Sequence, residues 1–516
     1  MISIDGHHLQ IDEIVKVARN YEKVIISVEG IKNIEKSYAL KNQITTSNKA
    51  VYGINTGFGI FANKQIANKD ASQLSRNLIL SHAVGTGEPF SNEIVRAAML
   101  VRANTLTKGF SGVRIEVVNT LIEMLNANLV PIIPSQGSLG SSGDLAPLSH
   151  LALVFTTDEK DLDEDSWFAF YLDQKLTGKE AMKRAGIPRL VLESKEGLAI
   201  NNGATFSAAI AALSVYDSKS LIDLAEMSLA LSLEAMLGCS SAFDHRIHAA
   251  RGQLGQMEAA NNVRRFIGNS NLINSTDRVQ DAYSLRCAPQ VQGVARDTLQ
   301  FIWGIIEREI NAATDNPLLF APGIALSGGN FHGEPIGVAM DFLGIVLSEI
   351  ASISERRINR MTDENLNAGL PPMLVDHPDA AGLNSGLMMP QYTAASLVLE
   401  NQTLAHPDSV FSIPTSAEQE DHNANAMNAC RHTLQILKNA QHVISIEFYT
   451  AARAIDLRLR NLPDGSLGYG TKLIYRLIRD VVPYQAGDAL WWPEVETVKQ
   501  LILGRNVQEA LDFIKS

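Results

Sequence analysis

Hydrophobic residues recur at spacings of three and four along three long stretches of the chain. Between Ala204 and Leu237 there is neither Pro nor Gly, and Ile222, Ala225, Leu229, Leu233 and Met236 fall on one helical face. A second stripe follows Pro335, with Leu343, Val346, Leu347, Ile350 and Ile353 around the weak breaker Gly344, and runs into the basic segment SERRINR. A third lies between Pro414 and Pro463, where Leu437, Ala440, Ile444 and Phe448 repeat the spacing. A helix of this length cannot bury its stripe alone, so the pattern predicts a helix bundle. Small residues, as in AAIAALS and ASIS, would let such helices approach closely. The stripes are read as core, with no part in chemistry.

Up to about Gly203 the pattern is shorter and punctuated by Gly and Pro, as in a region that carries functional loops. The expectation is a mainly α protein, with an N-terminal region at 1–203 and a central bundle and C-terminal helical region at 204–516. At 516 residues the chain exceeds what one simple core supports. Its net charge of -12 shows no basic stripe, which argues against nucleic acid as a partner and for solubility. Cys239, Cys287 and Cys430 are odd in number and far apart, so neither a disulfide framework nor a cysteine metal cluster is expected, and a reducing compartment fits. The start, MISIDGHHLQ, lacks a secretory pattern, and apolar runs are broken before the roughly 20 residues a bilayer requires. A soluble cytoplasmic protein without a membrane partner is expected. His245 and His248 share a helical face and His7 adjoins His8, but no acidic or cysteine ligand pattern accompanies them, so no metal is assigned.

The most unusual segment is IPSQGSLGSSGDLAPLSH, residues 133–150, where Gly137, Gly140 and Gly143 surround a serine pair and Asp144 follows. It lacks the GK[ST] of a phosphate loop, the glycine spacing of a dinucleotide fold and the G-x-S-x-G elbow of a serine nucleophile. A plain tight turn remains open on the residues alone.

GSLGSSGDLAPLSH resembles the signature of the aromatic amino acid ammonia-lyases. The resemblance implies that Ser141, Ser142 and Gly143 cyclise into 4-methylidene-imidazol-5-one (MIO): the Gly143 nitrogen attacks the Ser141 carbonyl, Ser142 loses water to become the methylidene, and Asp144 assists. The usual first residue is alanine, and here it is Ser141. No external cofactor is implied. The resemblance extends along nearly the whole chain and implies an ammonia-lyase/fumarase-like fold, with the MIO region followed by the long-helix bundle. It also implies a homotetramer whose active sites are shared between subunits.

Further segments carry the likeness. AVYGINTGFG (50–59) is similar to the segment bearing the family's catalytic base, which points to Tyr52 as acceptor of the substrate's β-proton, provided its site lowers its pKa. RVQDAYSLRCAPQVQG (278–293) implies active-site roles for Gln280, Tyr283 and Arg286, the planar Arg286 fork suiting a carboxylate. EGLAINNGAT implies Asn202 beside the MIO and the substrate carboxylate, although the family's usual GTQ tail reads GAT here. ATDNPLLF and SGGNFHGEP are also similar, and the latter implies that Phe331 lies against the substrate.

Within the family, the SHA context of His82 and the acidic Glu420 in SAEQEDH are similar to members that act on histidine. A carboxylate suits an imidazole, which offers N–H donors, and would be left unpaired against a phenyl ring. The expected reaction is therefore L-histidine to urocanate and ammonia. Where histidine enzymes generally read NQEDHVSM, this chain reads EQEDHNANAM, so Glu418 and the segment Asn423–Ala426 depart from the pattern. Another aromatic amino acid lyase, a 2,3-aminomutase and a helical scaffold that has lost cyclisation are the alternatives.

Overall fold

The computed structural model describes residues 1–46, 50–57, 59–61 and 63–515, so Phe58 of the AVYGINTGFG motif lies outside the described residues. The three stripes become the helices Thr205–Ala235, Glu334–Thr362 and Ala426–Asn461. All five residues of the first stripe are buried, while Ile353 at the end of the second is only half-buried. The third helix starts well after Pro414, because three consecutive non-glycine residues, Ser416, Ala417 and Glu418, hold left-handed backbone that no helix can include. Among the described residues, strand is confined to five sheets of two or three short strands. Glu334–Thr362 is the one described helix long and apolar enough to cross a bilayer by length and composition. Most of its apolar stretch is buried within the chain, as a core helix requires.

The chain divides into two compact units. The first gathers Met1–Tyr216, Ile302–Asp341 and Pro407–Arg431, and the second gathers Asp217–Phe301, Phe342–His406 and His432–Ser516. The segments 302–341 and 407–431 thus join the N-terminal residues instead of following a linear split at residue 203.

In the first unit the helix Asn92–Thr107 is buried over nearly its whole length. Its buried arginines are anchored by backbone oxygens: Arg96 donates to Val17 and Leu125, and Arg102 to Ala199 and to the Thr205 hydroxyl. Burial without such acceptors would cost several kcal/mol per charge, on the order of a whole domain's net stability. The strands Thr86–Pro89 and Pro134–Gln136 pair antiparallel, with Thr86 opposite Gln136. That ladder ties the chain leaving His82 to the start of the glycine-rich segment.

The second unit has its own buried node. The carboxylate of Glu447 accepts from Ser228 (2.9 Å), Ser232 (2.7 Å) and Ser354 (2.6 Å), and from two nitrogens of Arg357, neither charged side chain being exposed. The serines, unremarkable as helix residues, are here the partners a buried carboxylate needs.

Candidate active site

Three helix ends in the first unit converge on one cavity. The helix Ala71–His82 ends at His82, the helix Leu145–Phe155 begins after Asp144, and the short helix Glu196–Asn201 ends at Asn202; all three pack on one another. The cavity measures about 1260 Å³, and Tyr52, His82, Ser142, Asn202, Phe331 and Glu420 are among the residues lining it. The sequence scatters these residues over nearly the full first unit, and the fold brings them together.

The glycine-rich segment is held in an unusual way. Gly143 has a φ of +84° and pairs backbone to backbone with Gly203: the Asp144 N–H donates to the Gly203 oxygen at 2.9 Å. A Cβ on residue 143 would lie 2.1 Å from the Gly203 nitrogen, so the position is closed to any side chain. Ser142 is the half-exposed member of its triplet and faces the cavity, whereas Ser141 and Gly143 are buried. Ser141 uses its hydroxyl to accept the Ala424 N–H at 2.9 Å, so that side chain has a structural task independent of the backbone around it. These residues fit the ring that the resemblance implies: a middle serine open to the cavity, a third residue without a Cβ, and a first residue whose side chain is engaged elsewhere. Asp144 is fully buried and accepts from Ser138 (2.7 Å), the Ser207 N–H (2.8 Å) and the Ser207 hydroxyl (3.1 Å). Burial pushes its carboxyl above the usual range, against the pull of these donors.

On the facing wall, Glu420 closes a small turn by pairing with Thr415, whose hydroxyl donates to Glu420 Oε2 at 3.2 Å. The strained residues Ser416–Glu418 lie inside that turn, and Ser416, Ala417 and Gln419 also line the cavity. His82 Nδ1 is 2.9 Å from the Ser81 hydroxyl, and burial lowers its pKa, favouring the neutral ring. The loop after His82 is fixed by His150, whose Nε2 accepts the Gly85 N–H at 3.0 Å. The Oδ1 of Asn202 is buried without a hydrogen-bond partner among the described residues, an acceptor held ready in the cavity wall.

A profile described as "Aromatic amino acid lyase" matches residues 9–480. The chain belongs to the aromatic amino acid lyase family. A histidine ammonia-lyase of Caldanaerobacter subterraneus subsp. tengcongensis is 47% identical over 513 residues, spanning 99% of this chain and 98% of that one. Among solved structures, the histidine ammonia-lyase of Trypanosoma cruzi superposes with a TM-score of 0.90 at 35% identity, covering 99% of this chain and 95% of its own. A tyrosine aminomutase from Streptomyces globisporus gives 0.91 at 32% identity, covering 99% and 98%. The expected mainly α ammonia-lyase fold is thereby established.

Two features of this aromatic amino acid lyase depart from the sequence reading. Gln280, Tyr283 and Arg286 belong to the second unit and are not among the residues lining the cavity. Gln280 and Tyr283 are exposed, and the Arg286 guanidinium lies over the Tyr283 ring at 4.6 Å while its Nε donates to the Asp281 oxygen at 2.9 Å. The second departure is Tyr52. A base role calls for a lowered pKa, yet burial raises the phenol, with Glu420 and Asp315 adding to the effect and the Gly59 backbone opposing it.

Several further residues of the site have tasks that only the fold assigns, although Ser138, Asn316 and Ser327 lie in segments that carry the likeness. Ser138 and Ser207 hold Asp144, Arg102 packs beside Gly203, and Asn316 lines the cavity while donating to Ser327 (3.1 Å) and accepting from the Gly328 N–H (2.8 Å). Ser207 and Arg102 fall outside those segments, and nothing in the sequence points to them.

Proposed function

We propose that this aromatic amino acid lyase removes ammonia from L-histidine to give urocanate, acting in the cytoplasm as a homotetramer with shared active sites. The observation that carries the reading is the presence of both Glu420 and His82 in the cavity that Ser142 and Tyr52 line. A carboxylate accepts the N–H of the substrate imidazole, and the neutral His82 ring pairs with the second ring nitrogen. A phenyl ring in the same place would leave Glu420 desolvated and unpaired, which disfavours phenylalanine. Many relatives at similar identity, including those of Alkaliphilus oremlandii and Geobacillus thermodenitrificans, carry the name histidine ammonia-lyase.

Ser141, Ser142 and Gly143 would form MIO by closing the Gly143 nitrogen on the Ser141 carbonyl, with loss of two waters, Asp144 serving the proton movements from its buried position. When formed, it supplies an electrophilic carbon that draws electron density from the substrate. Tyr52 takes the β-proton, the C–H pair becomes the new C=C bond, and the amine leaves with the electrons of the Cα–N bond, so no oxidant or reductant enters. Asn202 offers its carbonyl oxygen to the substrate amine. In a tetramer, Arg286 of a second copy would hold the substrate carboxylate by two hydrogen bonds and Gln280 and Tyr283 would complete the wall. That cation would also counter the acidic neighbours that keep Tyr52 protonated. Three free cysteines accord with a reducing compartment.

The test is near-ultraviolet absorbance with histidine, tyrosine and phenylalanine offered separately and ammonia assayed alongside. Urocanate and ammonia from histidine alone is the expected result. Cinnamate-type products would reassign the specificity, and a β-amino acid without net ammonia would indicate an aminomutase.

A further inference from the structure

One ion pair near the cavity has no part in the chemistry described above. Lys195 and Asp315 meet through Nζ and Oδ2, and neither side chain is exposed at all. Removing two charges from water costs several kcal/mol, and such pairs are often replaceable by apolar residues without loss of stability. Stability alone is therefore a poor reason for this one. Lys195 moreover sits at a φ of +75°, in the left-handed region, where a residue with a Cβ is strained. Glycine would relieve that strain, but it would leave Asp315 without its cation.

The pair is connected to three walls of the cavity. Lys195 caps the helix Glu196–Asn201 that ends at Asn202, its own oxygen accepting the Ala199 N–H at 2.9 Å. The preceding Ser194 donates its hydroxyl to the Ile54 oxygen at 2.5 Å, in the turn that carries Tyr52. Asp315 Oδ1 accepts the N–H of the cavity-lining Asn316 at 2.7 Å. The charged groups around Tyr52 are Glu420 from the 415–420 turn, His82 and Lys64 on the cavity wall, and Asp315 from the buried 314–316 segment. Arg102 is the other cation near Asp315, and it is committed to Ala199 and Thr205.

We propose that Lys195 is a positioning residue for the lyase reaction, neutralising the buried Asp315 carboxylate near Tyr52 and locking together the walls that bear Tyr52, Asn202 and Asn316. The inference rests on Tyr52 being the base. With Lys195 in place, proton removal from the tyrosine does not have to create a second uncompensated negative charge beside the first.

The experiment compares Lys195→Met, Asp315→Asn and the double variant with the unaltered tetramer. The pH profile of kcat/KM for histidine is one readout. Tyrosinate absorbance, taken as the difference between each protein and its Tyr52→Phe counterpart, is the other. In Lys195→Met the Tyr52 limb should move to higher pH by about one unit, with kcat down about tenfold below that limb and KM little changed. Asp315→Asn should move the limb the opposite way, and the double variant should return it close to its original place. A loss of thermal stability with unmoved limbs in all three variants would overturn the proposal, as would failure of the double variant to restore the limb. Should Lys195→Met not fold, the opposite shift in Asp315→Asn and the restored position in the double variant decide the matter alone. If Tyr52→Phe retains full activity, the assignment of the base fails, while the absorbance titration still reports whether Lys195 and Asp315 govern the tyrosine's charge.

Discussion

Gly143 pairs with Gly203 through the backbone, and a Cβ on residue 143 would need the space that Gly203 fills. A Cβ at residue 203 would lie 2.5 Å from the Thr314 hydroxyl and 2.8 Å from an Arg102 nitrogen, at a φ of +111°. Gly203→Ala should push residue 203 off Thr314 and Arg102 and, through its backbone pairing, disturb residues 141–143 without touching their sequence. Its intact mass is expected to retain the two waters that cyclisation would release, with activity reduced by at least about a hundredfold. Normal mass loss and normal turnover in Gly203→Ala would contradict the tight backbone pairing as a requirement.

Ser142→Ala should leave the oligomer intact and its stability unchanged within about 1 kcal/mol, since the side chain is half-exposed in the cavity. Deamination should fall to background, as measured by ammonia release. Full retention of activity would remove Ser142 from the proposed chemistry.

Replacing Glu420 by Gln keeps an acceptor but discards the charge. We expect kcat/KM for histidine to fall by roughly 10- to 100-fold, the value of one charge-assisted hydrogen bond. Glu420→Leu should lose more with histidine and gain measurable turnover of phenylalanine. Unaltered selectivity in both variants, measured by competing substrates, would exclude Glu420 from ring recognition.

His150 predicts an acid sensitivity of stability. The residue is 1% exposed, its ring lies tilted against Trp167 at 4.4 Å between centroids, and burial pushes its pKa down to about 4. The unfolded chain takes up a proton near pH 6.5 that the folded chain refuses, so stability falls as pH drops from there to about 4 and levels off below. The single-proton slope integrates to roughly 3 kcal/mol. His150→Gln keeps an acceptor for the Gly85 N–H and cannot titrate. The stability of this variant relative to the parent should rise by that amount across the window, in urea titrations at stepped pH, and a flat difference would refute the assignment.

Glu447→Ala leaves Arg357 buried and unpaired, and should cost about 3–5 kcal/mol, read as a lower denaturation midpoint. The pair Glu447→Leu with Arg357→Met should cost distinctly less, because no charge is then stranded. Equal losses in both would mean that packing, not charge pairing, dominates at this node.

The features legible in the sequence were those encoded locally. The three long helices announce themselves by spacing, and the glycine-rich segment by composition, so both were found in nearly their true places. Tyr52, His82, Ser142, Asn202, Phe331 and Glu420 came from motif likeness, and the fold gathers them around one cavity. Lys195 could not be read in this way: a lysine before EGLAIN looks like a surface residue until folding brings Asp315, 120 positions later, against it. The direction of the Tyr52 shift is hidden for the same reason, since its burial, and after that the nearness of Glu420 and Asp315, exist only in the fold. Motifs likewise identify Gln280, Tyr283 and Arg286 without saying on which copy of the chain they act.

The turn from Thr415 to Glu420 separates two kinds of inheritance. Of the groups proposed to perform bond breaking, Ser142 lies just before a packed helix and Tyr52 in a turn braced by Ser194, where a change disturbs a neighbour. The carboxylate proposed to recognise the substrate ring hangs on a short bridged turn whose residues Ser416, Ala417 and Gln419 line the cavity beside it. Diet can therefore drift while the reaction stays fixed, and new members of such a lineage would arise by rewriting a handful of residues between Ser416 and Glu420, short of Ala424, which holds Ser141.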